Sequence, residues 1–404
     1  MRILLVSEDI PSPTLGGLGK HVITLGNALI EAGHTVDLMG NTFHPHENQP
    51  GDVAFRGRFL AALDTRGANW KEHRLGFFIY WRHVYLTRRF ARAILAVADQ
   101  YDVIHYHGHL PILANLIPSH LNFVQTRHDQ GSDCLTFTRF RNGSVCRETD
   151  PRACAGCAAA QPSAVQRALS ALSVRLWRKA VARAFRRHKV IFVSKFLRDN
   201  AIRTLGPLDS RTVYVVPHFL DVSAISNVLS VAQPSTSAPD ILIVGRIDTT
   251  KGVGAFLDAY SASLPAGRHV TVAGDGPELA RLQGQYPHAW LRFLGWTPYQ
   301  EVIQLTARAR QVIVTSLCEE AFGGTTVEAL SLGRPVLALN RGATPELKAY
   351  ETHPGQLSLF EDMASLVAAL GSLPAASEPA SVPMLSQAAD VRKAVPLIEQ
   401  VYQA

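Results

Sequence analysis

Short apolar runs alternate with helix-forming segments along most of this 404-residue chain. Such runs suit buried strands, and a helix between consecutive strands is the connection that parallel sheets need. The pattern therefore predicts an α/β fold whose parallel sheets are covered on both faces. In the first half the predicted strands are Ile3–Val6, Thr35–Met39, Val103–Tyr106, Phe123–Gln125, Val190–Ser194 and Val213–Val216. In the second half they are Ile241–Val244, His269–Ala273, Leu291–Leu294, Gln311–Thr315 and Val336–Leu339.

A segment rich in Pro and Ser, Gln233–Asp240, separates the two sets of strands and is typical of a linker. We therefore predict two Rossmann-like domains that face each other across a cleft, covering residues 1–220 and 241–385, with 221–240 as the linker. The last segment, 386–404, has helical spacing, although Pro396 would kink the helix.

The composition limits the classes of protein to which the chain can belong. Hydrophobic residues make up 47% of it, yet no apolar run approaches eighteen residues, and the first apolar run is too short for a signal peptide. We therefore expect a soluble, cytoplasmic protein with reduced cysteines. The formal charge of +7 favours anionic partners. Charge alone would also suit a nucleic-acid binder, but no nucleic-acid-binding module is recognisable, so we expect no nucleic-acid partner.

Two carboxylates flank a Gly-Gly step in the segment that follows the predicted strand Gln311–Thr315. Glu320 precedes the step, and Glu328 lies in the predicted helix Thr325–Leu332. The N–H groups at a helix N-terminus suit a phosphate, and a carboxylate can accept two hydroxyl hydrogen bonds from a sugar or ribose. One site could then hold both halves of a nucleotide sugar. Alternatively, Thr325 and Glu328 form a capping box, but that would not account for Glu320.

This segment closely resembles the Glu-x7-Glu signature of retaining GT-B glycosyltransferases of family 4. Five further segments, all earlier in the chain, match motifs of the family and occur in the same order as in the family. They are Gly16–His21, Thr126–Asp129, Val244–Gly252, Val272–Glu278 and Phe293–Trp296. The resemblance implies the GT-B fold, with the last helix crossing back onto the first domain. One departure is the segment Pro217–Asp221, PHFLD, where the family usually has Pro-Asn-Gly-Val-Asp.

The resemblance also implies roles for individual residues. Arg246 and Lys251 match the basic pair that holds the pyrophosphate and stabilises its charge as the glycosidic bond breaks. Glu328 matches the ligand of the ribose hydroxyls, Glu320 the residue that contacts the donor sugar, and His128 the histidine beside the reacting centre. The remaining predicted donor-binding residues are Gly16, Gly17, Leu18, Gly19, Gly274, Asp275, Leu294, Ala321, Phe322, Gly323, Gly324, Thr325 and Thr326.

The implied activity is transfer of a sugar, with retention and without a metal or other catalytic cofactor, from a UDP- or GDP-sugar to a hydroxyl acceptor. The departing phosphate would help to deprotonate the acceptor. No motif pairs a nucleophile with a base, as covalent catalysis requires. The acceptor could be a glycan, a lipid-linked glycan or a small molecule. A nucleotide-sugar epimerase, which shares the two-domain architecture, is the alternative enzyme.

A cysteine-rich insertion at 130–160 is the second departure from the family pattern. Cys134, Cys146, Cys154 and Cys157 supply the number of ligands that a structural zinc takes, although the spacing Cys-x11-Cys-x7-Cys-x2-Cys is irregular. An iron–sulfur site and free reduced thiols are the alternatives. We predict a structural zinc, because the segment has little apolar periodicity and a metal would supply the free energy that orders it. The fifth cysteine, Cys318, is expected in the core.

Basic residues mix with aromatic or apolar ones in the segments Trp70–Arg92 and Arg175–Lys189. Such segments could contact an anionic or lipid-linked acceptor at the inner face of a membrane. A buried helix with solvated basic edges is the alternative for both.

Overall fold

The computed structural model describes residues 1–12, 16–44, 54–66, 80–158, 163–230, 238–263, 268–372 and 385–404. Residues 231–237 of the predicted linker and residues 70–79 of the first basic segment lie outside these ranges. Within them the chain forms two compact units. Unit 1 comprises Met1–Arg139, Cys146–Phe219 and Val391–Ala404, and unit 2 comprises Phe140–Val145 and Leu220–Asp390.

Every strand predicted from the sequence is present, with ends that move by one or two residues. The strands are β1 Arg2–Val6, β2 Thr35–Asn41, β3 Arg58–Leu63, β4 Val103–His107, β5 Phe123–Arg127, β6 Phe140–Arg141, β7 Ser144–Val145, β8 Lys189–Phe192, β9 Val213–Val215, β10 Ile241–Val244, β11 Val270–Ala273, β12 Leu291–Gly295, β13 Gln311–Val314, β14 Val336–Leu339 and β15 Leu357–Phe360. The α-helices are α1 Gly17–Glu31, α2 Tyr80–Leu95, α3 Pro151–Ala158, α4 Ala164–Arg187, α5 Lys195–Leu205, α6 Val222–Ser230, α7 Val253–Ser263, α8 Leu279–Gln285, α9 Tyr299–Arg308, α10 Gly324–Ser331, α11 Met363–Ser372 and α12 Val391–Gln403.

Unit 1 is built on a seven-stranded sheet with the order β3-β2-β1-β4-β5-β8-β9, and all of its strand pairs are parallel. β1 lies in the middle, and Ile3–Val6 are fully buried because helices cover both faces of such a sheet. Helix α12 belongs to this unit, and its apolar residues share a core cluster with those of α1. Its Tyr402 hydroxyl lies 2.8 Å from Nδ1 of His105 on β4.

Unit 2 is built on a six-stranded parallel sheet with the order β12-β11-β10-β13-β14-β15. Its core cluster joins β10, β11 and β13 to residues of α7 and α11. A parallel sheet with helices packed against it is the architecture expected from the sequence pattern.

Several elements were not predicted. β3 and β15 are edge strands with mixed burial. The β15 sequence Leu-Ser-Leu-Phe interrupts the apolar run that marks a central strand, whereas β3 contains the apolar run 59–63, which the strand prediction overlooked. The short hairpin β6–β7 lies inside the cysteine-rich insertion. Helix α6, Val222–Ser230, occupies part of the segment 221–240 that we interpreted as linker, and unit 2 begins already at Leu220.

Candidate functional site

The carboxyl ends of β10 and β13 mark a switch in strand order, because the chain proceeds from β10 to β11 on one side and β13 adds on the other. Ligands of open parallel sheets bind in the crevice at such a point. The loop 245–252 follows β10, and the loop 315–323 follows β13. Hydrogen bonds join the two loops, from the Thr315 hydroxyl to the Lys251 carbonyl (2.6 Å) and from the Leu317 N–H to the Thr250 carbonyl (2.9 Å).

The side chains of Lys251 and Glu320 meet between these loops. Lys251 Nζ donates to Glu320 Oε1 at 2.5 Å, and the Ser316 hydroxyl donates to the same oxygen. Burial alone would lower the pKa of Lys251, but the charge and hydrogen bond of Glu320 outweigh it and raise that pKa. Lys251 is therefore a fixed cation, held by a carboxylate that the sequence assigned to a different part of the donor.

Arg246 lies on the same loop but is much more exposed. Its side chain is 70% exposed, and its Nε lies 3.2 Å from Asp248 Oδ2. The other oxygen of Asp248 accepts hydrogen bonds from the N–H groups of Thr250 and Lys251 and thereby shapes the turn. Arg246 can therefore reach an anion at the strand ends without leaving a buried charge unpaired.

The backbone at Glu320 is held from a third loop. The Ala343 N–H donates to the Glu320 carbonyl at 2.9 Å. A Cβ atom on the preceding Gly342 would lie 2.3 Å from that carbonyl oxygen, so only glycine permits the contact. The position of Glu320 thus depends on the chain that leaves β14, which local sequence around Glu320 does not reveal.

Helix α10 begins in the same region, and Gly323 is its N-cap residue with φ 105°. That left-handed conformation favours glycine. Thr325 therefore lies within the first turn of the helix and is not the N-cap, so the capping-box alternative is wrong. The N–H groups of Gly324 and Thr325 precede the first hydrogen bond of the helix, in which the Thr326 N–H donates to the Gly323 carbonyl at 3.1 Å, and N–H groups in that position suit an anion. Glu328 lies on the next turn and is partly buried.

The predicted nucleobase-side residues lie on loops after the neighbouring strands. The Gly274 N–H donates to the Gly295 carbonyl at 2.8 Å and ties the end of β11 to the end of β12. Asp275 accepts the Gly276 N–H, and its carbonyl accepts the Ile247 N–H. Leu294 lies on β12 and is partly buried. These contacts give Asp275 a part in shaping the turn.

In unit 1 the predicted glycine loop starts helix α1. Gly16 is the N-cap residue, and Gly17, Leu18 and Gly19 form the first turn. A Cβ atom at Gly16 or Gly17 would meet no atom of the described residues within 4 Å, so those residues leave space beside this helix N-terminus. The N–H groups there have the arrangement that binds anions at helix N-termini.

His128 follows β5 and lies in a chain of histidines. Its Nε2 is 3.0 Å from Nδ1 of His107 on β4, and its Nδ1 is 2.9 Å from Nε2 of His218, which follows β9. His21 of α1 packs against this chain, with ring centroids 4.7 Å from His128 and 4.3 Å from His218. Burial lowers the pKa of His128 well below its usual value, and that of His218 to about 4. These imidazoles are therefore neutral at physiological pH.

Asp129, beside His128, caps the following turn and does not orient the His128 ring. One oxygen accepts the Gly131 N–H at 2.7 Å, and the other lies 3.1 Å from Nδ1 of His109. His109 also lies 3.1 Å from Asp9. Burial by itself lowers the pKa of His109, but the two carboxylates raise it to about 11. His109 is therefore a second fixed cation, which the sequence did not indicate.

None of the five cysteines, all of which lie in the described part of the chain, forms a disulfide. Arg178 on α4 donates to Cys154 Sγ at 3.2 Å. Burial raises the pKa of the Cys154 thiol; Arg178 opposes the shift, and the nearby Cys134 and Cys146 thiols add to it. Cys134, Cys146 and Cys154, three of the four predicted ligands, are thus close enough to interact. Among the described residues, a group of three metal-ligating atoms within 4.8 Å of one another is formed by His21, His128 and His218. Cys318 is buried, as expected.

Comparison with known proteins identifies the family. The model for Glycosyltransferase Family 4 matches residues 15–224, and the model for glycosyl transferases group 1 matches residues 238–374. The chain belongs to glycosyltransferase family 4. The family confirms the resemblance seen in the sequence, and the protein is a glycosyltransferase. No epimerase is among these matches, so that alternative is not favoured.

This glycosyltransferase is 26% identical to the glycogen synthase of Mycobacterium tuberculosis over 94% of its own length and 88% of that protein. Among solved structures, Anabaena HepE in complex with UDP and glucose covers the whole chain with a TM-score of 0.66 and 16% identity, over 99% of that structure. Sucrose-phosphate synthase from Thermosynechococcus elongatus gives a TM-score of 0.62 and 18% identity, with coverage of 100% and 96%. These likenesses confirm the GT-B fold with two Rossmann-like domains.

Sequence reasoning missed the histidine partners of His128. His107 lies in a β4 sequence that reads His-Tyr-His, and His218 stands where the family usually has Asn. Both were visible signals, but the parallel pairing of β4 with β5 is needed to bring His107 beside His128, and the place of β9 in the same sheet is needed to bring His218 there. Among the helices that the structure describes, none is long and apolar enough to cross a membrane.

Proposed function

We propose that this glycosyltransferase moves a sugar, with retention of anomeric configuration, from a UDP- or GDP-sugar to a hydroxyl acceptor. The observation that carries the proposal is the convergence of Lys251, Glu320 and Arg246 at the carboxyl ends of β10 and β13. Two cations and a helix N-terminus there suit the pyrophosphate, while Glu320 and Glu328 supply acceptors for hydroxyl groups. The binding of UDP and glucose by HepE supports a donor of this class.

The chemistry follows from what the residues can hold. Arg246 and Lys251 stabilise the charge that grows on the leaving nucleoside diphosphate, and the first N–H groups of α10 add to that stabilisation. Glu320 and His128 contact the donor sugar, as the family resemblance implies. With no nucleophile assigned to the protein, the departing phosphate accepts the acceptor proton on the face from which it leaves, and this gives retention.

A thermal-shift screen against UDP-, GDP-, ADP- and dTDP-sugars tests the donor. We expect one nucleotide series to raise the apparent stability of the protein, because a ligand that binds only the folded state stabilises it. The same donor is then incubated with and without a hydroxyl acceptor, and the anomeric proton of the product is assigned by NMR. Conversion of the donor sugar without acceptor would show an epimerase, and an inverted product would overturn retention.

One surface favours an acceptor carried on a membrane. Helix α4 has seven basic and no acidic side chains. Val165, Leu169, Leu172 and Leu176 lie on one face of it and are 68%, 47%, 50% and 47% exposed. Apolar side chains flanked by basic ones suit an interface of anionic lipids. We therefore propose that α4 docks on an anionic membrane surface, which would bring the enzyme to a lipid-linked acceptor.

Sedimentation with vesicles tests this docking. We expect binding to vesicles that contain phosphatidylglycerol and little binding to phosphatidylcholine alone. The double variant Leu172→Ser/Leu176→Ser should bind roughly tenfold more weakly, because apolar side chains leave the lipid. Leu397→Ser, which changes a 45% exposed leucine on α12, is the matched control and should bind as wild type. Equal binding by the double variant would refute the docking surface.

A further inference from the structure

Three histidines form the strongest cluster of metal-ligating side chains among the described residues. The proposed function assigns no role to the three together. One ring nitrogen each of His21, His128 and His218 lies within 4.8 Å of the other two. They come from three separate elements, namely α1, the turn after β5 and the segment after β9. Three imidazoles at this spacing are the protein ligand set of many open zinc sites.

The burial of the rings suits a metal site. A metal binds the lone pair of a neutral imidazole nitrogen. His21 is only 6% exposed, and its Nδ1 is buried without a hydrogen-bond partner. A buried nitrogen without a partner is unfavourable, and coordination would satisfy it. His128 and His218 are partly exposed, which leaves an entry route for an ion.

The neighbouring residues support the ligand geometry. His107 Nδ1 lies 3.0 Å from His128 Nε2 and can accept the His128 proton there, which leaves Nδ1 of His128 with a free lone pair. Metal-ligating histidines are commonly oriented in this way by a partner on the other ring nitrogen. Phe219 stacks on His21 with centroids 4.2 Å apart and limits rotation of that ring.

We propose that His21, His128 and His218 bind a divalent transition metal, with Zn²⁺ as the natural occupant. Three protein ligands leave a fourth position for water. To bind, His218 must carry its proton on Nδ1 and present Nε2 as a lone pair, so the hydrogen bond that it shares with His128 Nδ1 gives way to two metal bonds. The effect of the metal on activity rests on the proposed function. Because His128 is expected to contact the donor sugar, bound metal inhibits transfer, and the site is regulatory.

Calorimetric titration of the purified protein with ZnCl₂, without any donor, tests the site. Wild type should take up one added equivalent, and His218→Asn and His21→Gln should each weaken that binding by about a hundredfold or more, because a ligand is lost. Asn at 218 restores the residue that the family usually has. His188→Asn is the matched control: this buried histidine contacts the Ile117 carbonyl and should leave zinc binding unchanged.

Titration with Co²⁺ separates this site from the cysteines. Imidazole ligation gives visible d–d bands without the near-ultraviolet charge-transfer band of a thiolate, so a thiolate band on the added equivalent would overturn the proposal. Undiminished zinc binding by His218→Asn would overturn it as well. Because no donor is present, neither result bears on transferase activity. Full turnover with the site loaded would refute the regulatory role, whereas an enzyme that is inactive with only the histidine site empty would count against the proposed function instead.

Discussion

Lys251 and Glu320 lie 69 positions apart in the chain and form an ion pair of 2.5 Å at the carboxyl ends of two adjacent strands. Their side chains are only 34% and 17% exposed. The carboxylate keeps Lys251 charged and in place before any ligand arrives, so less reorganisation is needed when a phosphate binds. It also means that an incoming pyrophosphate competes with Glu320 for the lysine.

That competition predicts opposite effects of the two neutralising substitutions on binding of the nucleoside diphosphate. Glu320→Gln should leave its Kd unchanged or tighten it, because Lys251 loses its competing anion. Lys251→Ala should weaken binding about tenfold and lower kcat by about a hundredfold, because a cation at the leaving group is lost. Calorimetry and steady-state kinetics measure both. Equal weakening by both variants would contradict the shared use of Lys251.

Arg246 should matter for catalysis but not for stability. Its side chain is 70% exposed, so Arg246→Ala should change the free energy of unfolding by less than about 0.5 kcal/mol. Its kcat should fall by about a hundredfold. Arg310→Ala is a matched control, since Arg310 pairs with Asp240 and precedes β13 at the opposite end of the strands. If wild-type turnover survived in Arg246→Ala, Arg246 would have no role at the pyrophosphate.

Glu328 should act through the ribose hydroxyls. Glu328→Ala should weaken donor binding by about 1–3 kcal/mol, because hydrogen bonds to a charged group are lost. Removal of the 2′-hydroxyl from the nucleotide should reduce its binding affinity less in the variant than in wild type. Exposed Glu301 of α9 provides the control Glu301→Ala. Strictly additive losses from the variant and the deoxy nucleotide would argue against a contact between Glu328 and the ribose.

His109 predicts a dependence of stability on pH. Its pKa rises from 6.5 to about 11 because Asp129 and Asp9, with Glu8 nearby, outweigh the effect of burial. A raised folded-state pKa contributes stability that is complete below the unfolded pKa near 6.5 and is lost as the pH rises towards 11.

His109→Gln measures that contribution. The difference in unfolding free energy between wild type and variant should be larger at about pH 6 than at about pH 10. The side chain is 41% exposed, so solvent screening keeps the difference modest. His269→Gln, which changes a 68% exposed histidine 3.8 Å from Asp240, is the matched control. A pH-independent difference for His109→Gln would refute the assignment.

The cysteine-rich insertion keeps its sequence-based prediction of a structural zinc. The segment carries Asn142 and Gly143 at positive φ and has little apolar periodicity, so a metal would supply ordering free energy that burial does not. Elemental analysis of protein purified without added metal should show about one zinc per chain. Cys154→Ser/Cys157→Ser should remove it, and Cys318→Ser should not. An ordered, active protein without metal would refute the structural zinc.

The sequence by itself determined the fold class and the order of the central strands along the chain. Those strands are buried on both faces and rich in apolar residues, so the local pattern is sufficient to mark them. The sequence analysis missed β15, where a serine interrupts the apolar run of a half-buried edge strand, and it overlooked β3 although residues 59–63 are apolar. The family could be named as well, because its motifs are short segments attached to individual strand ends.

Only the tertiary structure decided which charges and rings meet. Lys251 and Glu320 were assigned to separate parts of the donor, and their pairing follows from β10 and β13 being neighbours in the sheet although β11 and β12 lie between them in the chain. His21, His128 and His218 likewise come from three distant segments. Contacts of this kind depend on strand order and register, which are set by packing over the whole domain and leave no local signal in the sequence.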